Sequence, residues 1–206
     1  MASTTFVDRR TPIMAEWLND VNSAVYNAPA NVKTYGAVGD GVTDDTAAIQ
    51  AALNSGATTV YVPEGTYLVK DATNTIAGDV LVLPAGVTLQ GAGFGSVLKL
   101  GAHTTIGHRV IKCASDTGAV LNLTIDGNKT QQTGPSDEQS HLLFIYGGSN
   151  IRAHGVKFKN AQGDGVYIGA ASEPGPKNIE ISGCYFDGNV RQGVSIVRFS
   201  LFPPTN

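Results

Sequence analysis

Two stretches in the C-terminal half repeat each other without a gap, and that repeat restricts the fold more than any other feature of the chain. Residues 150–160, NIRAHGVKFKN, overlie residues 178–188, NIEISGCYFDG, at a shift of 28 residues. The same shift carries Gly165-Val166-Tyr167-Ile168 onto Gly193-Val194-Ser195-Ile196. Two successive strand-like runs held in one register predict a solenoid with one rung per repeat, each rung burying its apolar face only against its neighbours. An earlier copy, VLNLTIDGN at 120–128 followed by HLLFIYG at 141–147, fits with a polar loop over 129–140. That loop is expected to project from the surface, where function concentrates. Laying the rungs on one another gives two apolar inward columns, Ile125, Phe158, Phe186 and Leu143, Val166, Val194, which read as core.

Two further columns carry polar chemistry and read as outward-facing. One stacks Asp126, Lys159 and Asp187; the other stacks His141, Asp164 and Gln192, flanked by Phe144 and Tyr167. With rungs about 4.8 Å apart, residues of one column are near enough to share a sugar ring. Two readings stay open. Asp126, Lys159 and Asp187 form an ion-pair ladder with plain Asp-Gly turns, or Asp126 and Asp187, about 9.6 Å apart over two rungs, serve as paired carboxylates near the upper end of the separation used for inverting glycoside hydrolysis. Asp164, in Gly-Asp-Gly-Val, has the same two readings, and Tyr167 beside it can stack on a sugar face. A polysaccharide lyase would need a base and a cation to steady the anion, for which Arg191 and His141 are the nearby residues. The candidate catalytic residues are therefore Asp164, Asp187 and Asp126, and the candidate substrate-binding residues His141, Tyr167, Gln192 and Arg191. His103 and His108 lie in a loop-like stretch without a third ligand, so no metal site is expected there, and no cofactor is expected elsewhere.

The N-terminal half opens with residues 31–56, NVKTYGAVGDGVTDDTAAIQAALNSG, which read as a short strand, a glycine turn and an amphipathic helix over 44–54. Thr43 or Asp44 is positioned to cap it, Asp44 and Asp45 complement its dipole, and Gly56 closes it. Ile49 and Leu53 fall on one face. The crowding of Asp40, Asp44 and Asp45 is read as turn and helix-start work, not as an acid or metal site. TTVYVPEGTYLV then gives two short strands about a turn. Before all this, Thr11-Pro12 starts a helix in which Ile13, Trp17, Val21 and Val25 recur every fourth residue. Its apolar stripe needs a partner, either the end of the solenoid or two further copies of itself.

The run YGAVGDGVTDDTAAIQAAL resembles the opening of the pectate-lyase-like right-handed parallel β-helix proteins, which include polygalacturonase-like enzymes and many bacteriophage tailspikes. The resemblance implies an all-β fold: a right-handed single-stranded parallel β-helix with an N-terminal capping α-helix, preceded by a separate short helix. Three regions follow, an attachment or oligomerisation segment at 1–30, the capped β-helix at 31–197, and an irregular tail at 198–206. Polygalacturonase-like members place acidic residues at positions like Asp164. AEWLNDVNSAV resembles the segments by which tailspikes join the virion, so the resemblance implies a homotrimer that contacts a phage tail or baseplate protein through residues 1–30. It also implies a virion-tail location and a tailspike that binds and cleaves a bacterial surface polysaccharide, capsule or lipopolysaccharide. The alternatives are a secreted polysaccharide hydrolase or lyase and a non-catalytic adhesion module. Composition narrows the choice. A net charge of −3 and a pI near 5.7 give no field for nucleic acid. No run of about twenty apolar residues suits a membrane span, and the start lacks the apolar core of a signal peptide. Cys113 and Cys184 sit in apolar runs without redox or metal spacing and read as buried thiols.

Overall fold

The computed structural model describes residues 28–71, 78–103, 107–113, 115–133, 139–171 and 175–197; the expected N-terminal helix and the tail lie outside the described residues. Ala30–Asn31 (β1) and Asp40–Asp44 (β2) begin two sheets. Five rungs of three strands follow: Thr59–Val62 (β3), Gly65–Val69 (β4) and Asp79–Val82 (β5); Val87–Gly91 (β6), Ser96–Leu100 (β7) and Arg109–Cys113 (β8). Then come Gly118–Leu121 (β9), Thr124–Asp126 (β10) and Leu143–Tyr146 (β11); Ile151–His154 (β12), Lys157–Lys159 (β13) and Val166–Gly169 (β14); Glu180–Ser182 (β15), Tyr185–Asp187 (β16) and Val194–Ile196 (β17). Sheet I runs β1-β3-β6-β9-β12-β15, sheet II β2-β4-β7-β10-β13-β16, and sheet III β5-β8-β11-β14-β17. Neighbours pair in parallel within each sheet, so the chain is a parallel β-helix.

The expected core columns are in register, with Ile125 opposite Phe158 and Phe158 opposite Phe186, and Leu143 opposite Val166 and Val166 opposite Val194. The 28-residue step holds between the last two rungs in all three sheets. One rung earlier the step is 33 residues in sheets I and II but 23 in sheet III, because the 129–140 insertion falls between the second and third strands of rung three.

Strands of three to five residues need a sharp change of direction at each corner, and left-handed residues supply it. The III–I corner stacks Gly86, Thr117, Asn150 and Asn178 at φ of 75, 63, 56 and 54°. The I–II corner stacks Asn122, Gly155 and Gly183 at 51, 64 and 58°. Gly adopts this region freely and Asn tolerates it, and Asn178 Nδ2 donates to Asn150 Oδ1 at 2.9 Å. Thr117 is the exception, a β-branched residue in a region where such side chains crowd their own backbone.

Helix α1, Thr46–Leu53, closes the N-terminal end with Ile49, Ala52 and Leu53 buried. It starts later than the sequence suggests, and Asp45 at its N-cap makes no side-chain cap bond. Its carboxylate instead accepts from Val38 N–H at 2.7 Å and Gly39 N–H at 3.1 Å, fastening the glycine turn to the helix start. Asp44 Oδ1 accepts from Thr46 N–H and Oγ1, and Asp40 accepts from Val42 and Thr43 N–H. The three carboxylates are thus engaged in local backbone geometry. The opposite end differs: Phe158 is fully buried while Phe186 above it is 38% exposed, and Ile168 at 8% is followed by Ile196 at 77%. Cys113 is buried and Cys184 partly so, both as free thiols.

Replacing Thr117 with Gly removes the crowding at φ 63° and is expected to raise stability by about 1 kcal/mol, while Asn150→Val puts the same crowding into the next rung and lowers it by about 1–2 kcal/mol. Urea unfolding of both variants checks the pair of signs.

Candidate functional site

The corner between sheets II and III gathers most of the residues singled out by the sequence, but not in the expected attitude. His141 and Asp164 are both 0% exposed, where an outward column was expected. The reason is parity. Each precedes an inward residue, Leu143 or Val166, by two positions, and side chains two apart share a face. They are tolerated inside because they meet each other. His141 Nδ1 lies 3.3 Å from Asp164 Oδ2 and 3.3 Å from the Asp164 amide nitrogen, and Asp164 Oδ1 accepts from Gln192 N–H at 3.1 Å. Gln192 therefore contributes its backbone to this column, while its side chain and that of Arg191 lie at the surface.

Outside this pair lies an aromatic stack on the outer face of sheet III. Phe144 and Tyr167 are opposite in register, their centroids 5.2 Å apart at 28°. Tyr146 stacks on Phe144 at 5.1 Å and 11°, and His141 on Tyr167 at 4.6 Å and 25°. Arg109, held to Asp79 at 2.6 Å, places its guanidinium 4.7 Å above the Phe144 ring, a cation–π contact. Burial, then the Tyr146 phenol and the Asp164 carboxylate, raise the Tyr167 pKa above its ordinary value, with Arg191 pulling the other way. The phenol is therefore protonated at neutral pH and serves as a ring face and hydrogen-bond donor. Sequence reasoning missed Arg109, because the register of β8 on β11 appears only when the unequal rungs are folded, and it missed Tyr146, which the two-residue spacing from Phe144 places on the same face.

The second column stands as expected on sheet II, with Asp126, Lys159 and Asp187 in register. Asp126 is nearly buried. Lys159 Nζ lies 3.0 Å from its Oδ2, and its Oδ1 accepts from Asn128 N–H at 2.9 Å and Asn160 Nδ2 at 3.1 Å. Burial works to raise its pKa, but those three donors together outweigh burial and hold it below 3.8. Asp187 is exposed and pairs at 3.5 Å with Lys157, not with Lys159. The 129–140 loop begins with a short turn, Lys129–Gln131, and then folds back: Gln132 Nε2 donates to Gly101 O at 3.0 Å and its Oε1 accepts from His103 N–H at 3.1 Å. His103 and His108 lie between β7 and β8 as the loop-like stretch suggests, yet both are 3% exposed and stack at 3.9 Å. Among the described residues no group of three His, Cys, Asp or Glu is placed to hold a metal ion.

The rhamnogalacturonase A/epimerase, pectate lyase-like family model matches residues 30–198. The chain belongs to that family. Among its relatives, mannuronan C5-epimerase AlgE4 of Azotobacter vinelandii is 41% identical over 117 residues, 52% of this chain and 21% of that protein. The preneck appendage protein of Bacillus phage PZA is 30% identical over 190 residues, 80% of this chain and 21% of that one. The solved A-module of A. vinelandii mannuronan C-5 epimerase AlgE6 superimposes with a TM-score of 0.63 at 25% identity, covering 82% of this chain and 52% of the module. This pectate lyase-like chain thus spans about a fifth of the length of the first curated relative it matches.

Two substitutions distinguish the columns. Asp126 contributes stability that is present above about pH 4 and is lost as pH falls through its depressed pKa. Asp126→Asn is therefore expected to be less stable than the parent at neutral pH, the two unfolding curves converging in acid. Asp164→Ala removes the buried carboxylate that faces His141 Nδ1 and accepts from Gln192 N–H and is expected to cost about 3 kcal/mol, whereas Asp187→Ala at the surface changes stability by less than about 0.5 kcal/mol.

Proposed function

We propose that this chain is the β-helical part of a phage tail appendage, located on the virion tail, and that its sheet III face binds a bacterial surface polysaccharide. The observation that carries this reading is the pair of half-buried tyrosines, Tyr146 and Tyr167, stacked on the buried Phe144 at 5.1 and 5.2 Å and flanked by Arg109 and by the Arg191 charge that acts on Tyr167. Aromatic rings take the apolar side of a pyranose; Phe144 and Tyr167 stand one rung apart, and Tyr146 and Tyr167 are the partly exposed members. Relatives named for a preneck appendage and for mannuronan epimerisation support the two halves of the proposal, virion and polysaccharide. Assembly as a homotrimer through the Ile13, Trp17 and Val21 stripe belongs to the same proposal, as does contact with a tail or baseplate protein through residues 1–30.

The surroundings of the three candidate carboxylates, Asp164 at the II–III corner and Asp126 and Asp187 on sheet II, favour recognition over cleavage. Asp164 is enclosed with His141, so its carboxylate has no path to a glycosidic oxygen, and Asp126 is held ionised by three donors, the wrong state for a general acid. Asp187 is the exposed carboxylate of the three candidates. Cleavage, if the intact appendage performs it, would begin there.

The test is binding of the full chain to a panel of purified bacterial capsular polysaccharides, lipopolysaccharides and alginate, with reducing-end release followed in parallel. Tyr146→Ala and Tyr167→Ala are expected to weaken binding of whichever polymer is retained by about tenfold or more, with the thermal midpoint nearly unchanged. Asp187→Asn separates binding from turnover. Retention unaffected by both tyrosine substitutions, or no retention of any polymer, would remove sheet III as the binding face.

A further inference from the structure

The N-terminal end of the β-helix carries an uncharged groove that helix α1 leaves open. One stretch of it, about 430 Å³, runs between the edge strand β1 with its following turn, at Pro29, Asn31 and Tyr35, and the residues after α1, Ser55, Gly56 and Ala57. A second stretch, about 410 Å³, continues from Gly56 and Ala57 to Pro84, Ala85 and Gly86 at the III–I corner. None of the residues lining either stretch carries a charge, and Tyr35 is 41% exposed. The floor is small and held in place. Ser55 N–H donates to Ala52 O at 3.2 Å and Thr88 N–H to Thr58 O at 2.9 Å, while a Cβ added at Gly56 or Gly86 would meet nothing within 4 Å. An element laid there can bring its backbone close.

The segment that leads into the groove has the matching chemistry. Residues 12–27 lie outside the described residues, and their sequence gives the apolar stripe of the expected helix. At about 100° per residue, Ile13, Trp17 and Val21 occupy about 80° of the circumference, and Met14, Leu18 and Val25 widen the stripe to about 140°. A seam between copies uses only a narrow part of such a stripe. The flank made of Met14, Leu18 and Val25 therefore needs a second apolar surface, and a helix of this length is marginal without one. Chain connection decides which surface is in reach. Val25 is three residues from Ala28, which lines the groove, and three residues span at most about 10 Å. Leu18 and Met14 follow at about 10 and 16 Å along the helix axis.

We propose that residues 12–27 fold back across the N-terminal end and seat Met14, Leu18 and Val25 in this groove, on the floor at Gly56 and Ala57 and against Tyr35. The occupant is a segment of the same chain, and the fit is of apolar side chains on an uncharged surface of small residues. This docking does not rest on the polysaccharide reading. It leaves Ile13 and Trp17, with the adjoining edge of Val21, free for a seam between copies. It also fixes that seam to the end of the β-helix, so that the attachment segment and the sheet III face move as one body.

The test is amide hydrogen exchange of the full chain, read by mass spectrometry. Amides of residues 14–25 are expected to exchange about tenfold or more slowly than in a synthetic peptide of residues 10–27. Tyr35→Asp and Ala85→Asp each put a charge into the wall of the groove at an exposed position. Both are expected to speed exchange over 14–25 about tenfold or more while rungs three and four keep the parent's protection. Leu18→Asp is expected to do the same from the other side and to speed exchange over 30–36 and 84–87. Trp17→Ser removes a seam residue and leaves the docking flank whole, so protection is expected to persist at a dilution where light scattering reports a monomer. Exchange over 14–25 that is as fast as in the peptide, or that neither Tyr35→Asp nor Ala85→Asp alters, overturns the proposal, because the groove is then not what holds the segment. Protection lost in the monomeric Trp17→Ser chain overturns it as well, because the groove is then filled by a neighbouring copy.

Discussion

No rung of this solenoid can bury its own apolar residues, so everything depends on neighbouring rungs keeping the same phase around the corner. Side chains alternate with period two, and a slip of one residue would turn a core position into a surface one. The corners prevent the slip. A single left-handed residue at Asn122, Gly155 and Gly183, and another at Thr117, Asn150 and Asn178, ends one strand and sets the direction of the next. Where the I–II corner stays at two residues, sheets I and II keep equal steps of 33 and then 28 residues. The II–III corner is not bound in this way and absorbs the insertion at 129–140, which is why the polar clusters and the stacked histidines collect there.

The same logic explains what could be read in advance. The last two rungs repeat with identical spacing, so their register, the core columns and the parallel fold follow from pattern alone. Closure of the N-terminal end follows from Ile49 and Leu53 on one helical face. Asp45 was harder: as a helix-start residue it reads as a cap, yet its carboxylate serves Val38 and Gly39, because the turn leaves two amides to satisfy and the helix start is already served by Asp44. A preference for capping cannot register that competition, which arises only when the turn and the helix are brought together.

His141 and Asp164 show the opposite failure, in which residue type overrode geometry. Polar character suggested the surface, while their two-residue distance from Leu143 and Val166 fixed them inward. Inside, the two face each other at 3.3 Å, which lowers the cost of burying either. Contacts distant in sequence left no local trace at all. Phe94 and Tyr185, whose rings meet edge to face, are 91 residues apart, and Arg109 reaches Phe144 only across a rung boundary whose length varies.

Hydrolysis by a carboxylate pair requires two groups whose environments drive their protonation apart, one kept neutral to give a proton and one kept charged. On these faces the environments act otherwise. Asp126 is depressed by Lys159, Asn128 and Asn160, Asp187 sits beside Lys157, and Asp164 is shut in with His141. Aromatic faces and paired charges, by contrast, stand at the surface of sheets II and III in positions that the corner geometry holds rigid. Such a surface would gain affinity from preorganisation and from several rungs acting together, which is the physical ground for the proposed polysaccharide binding.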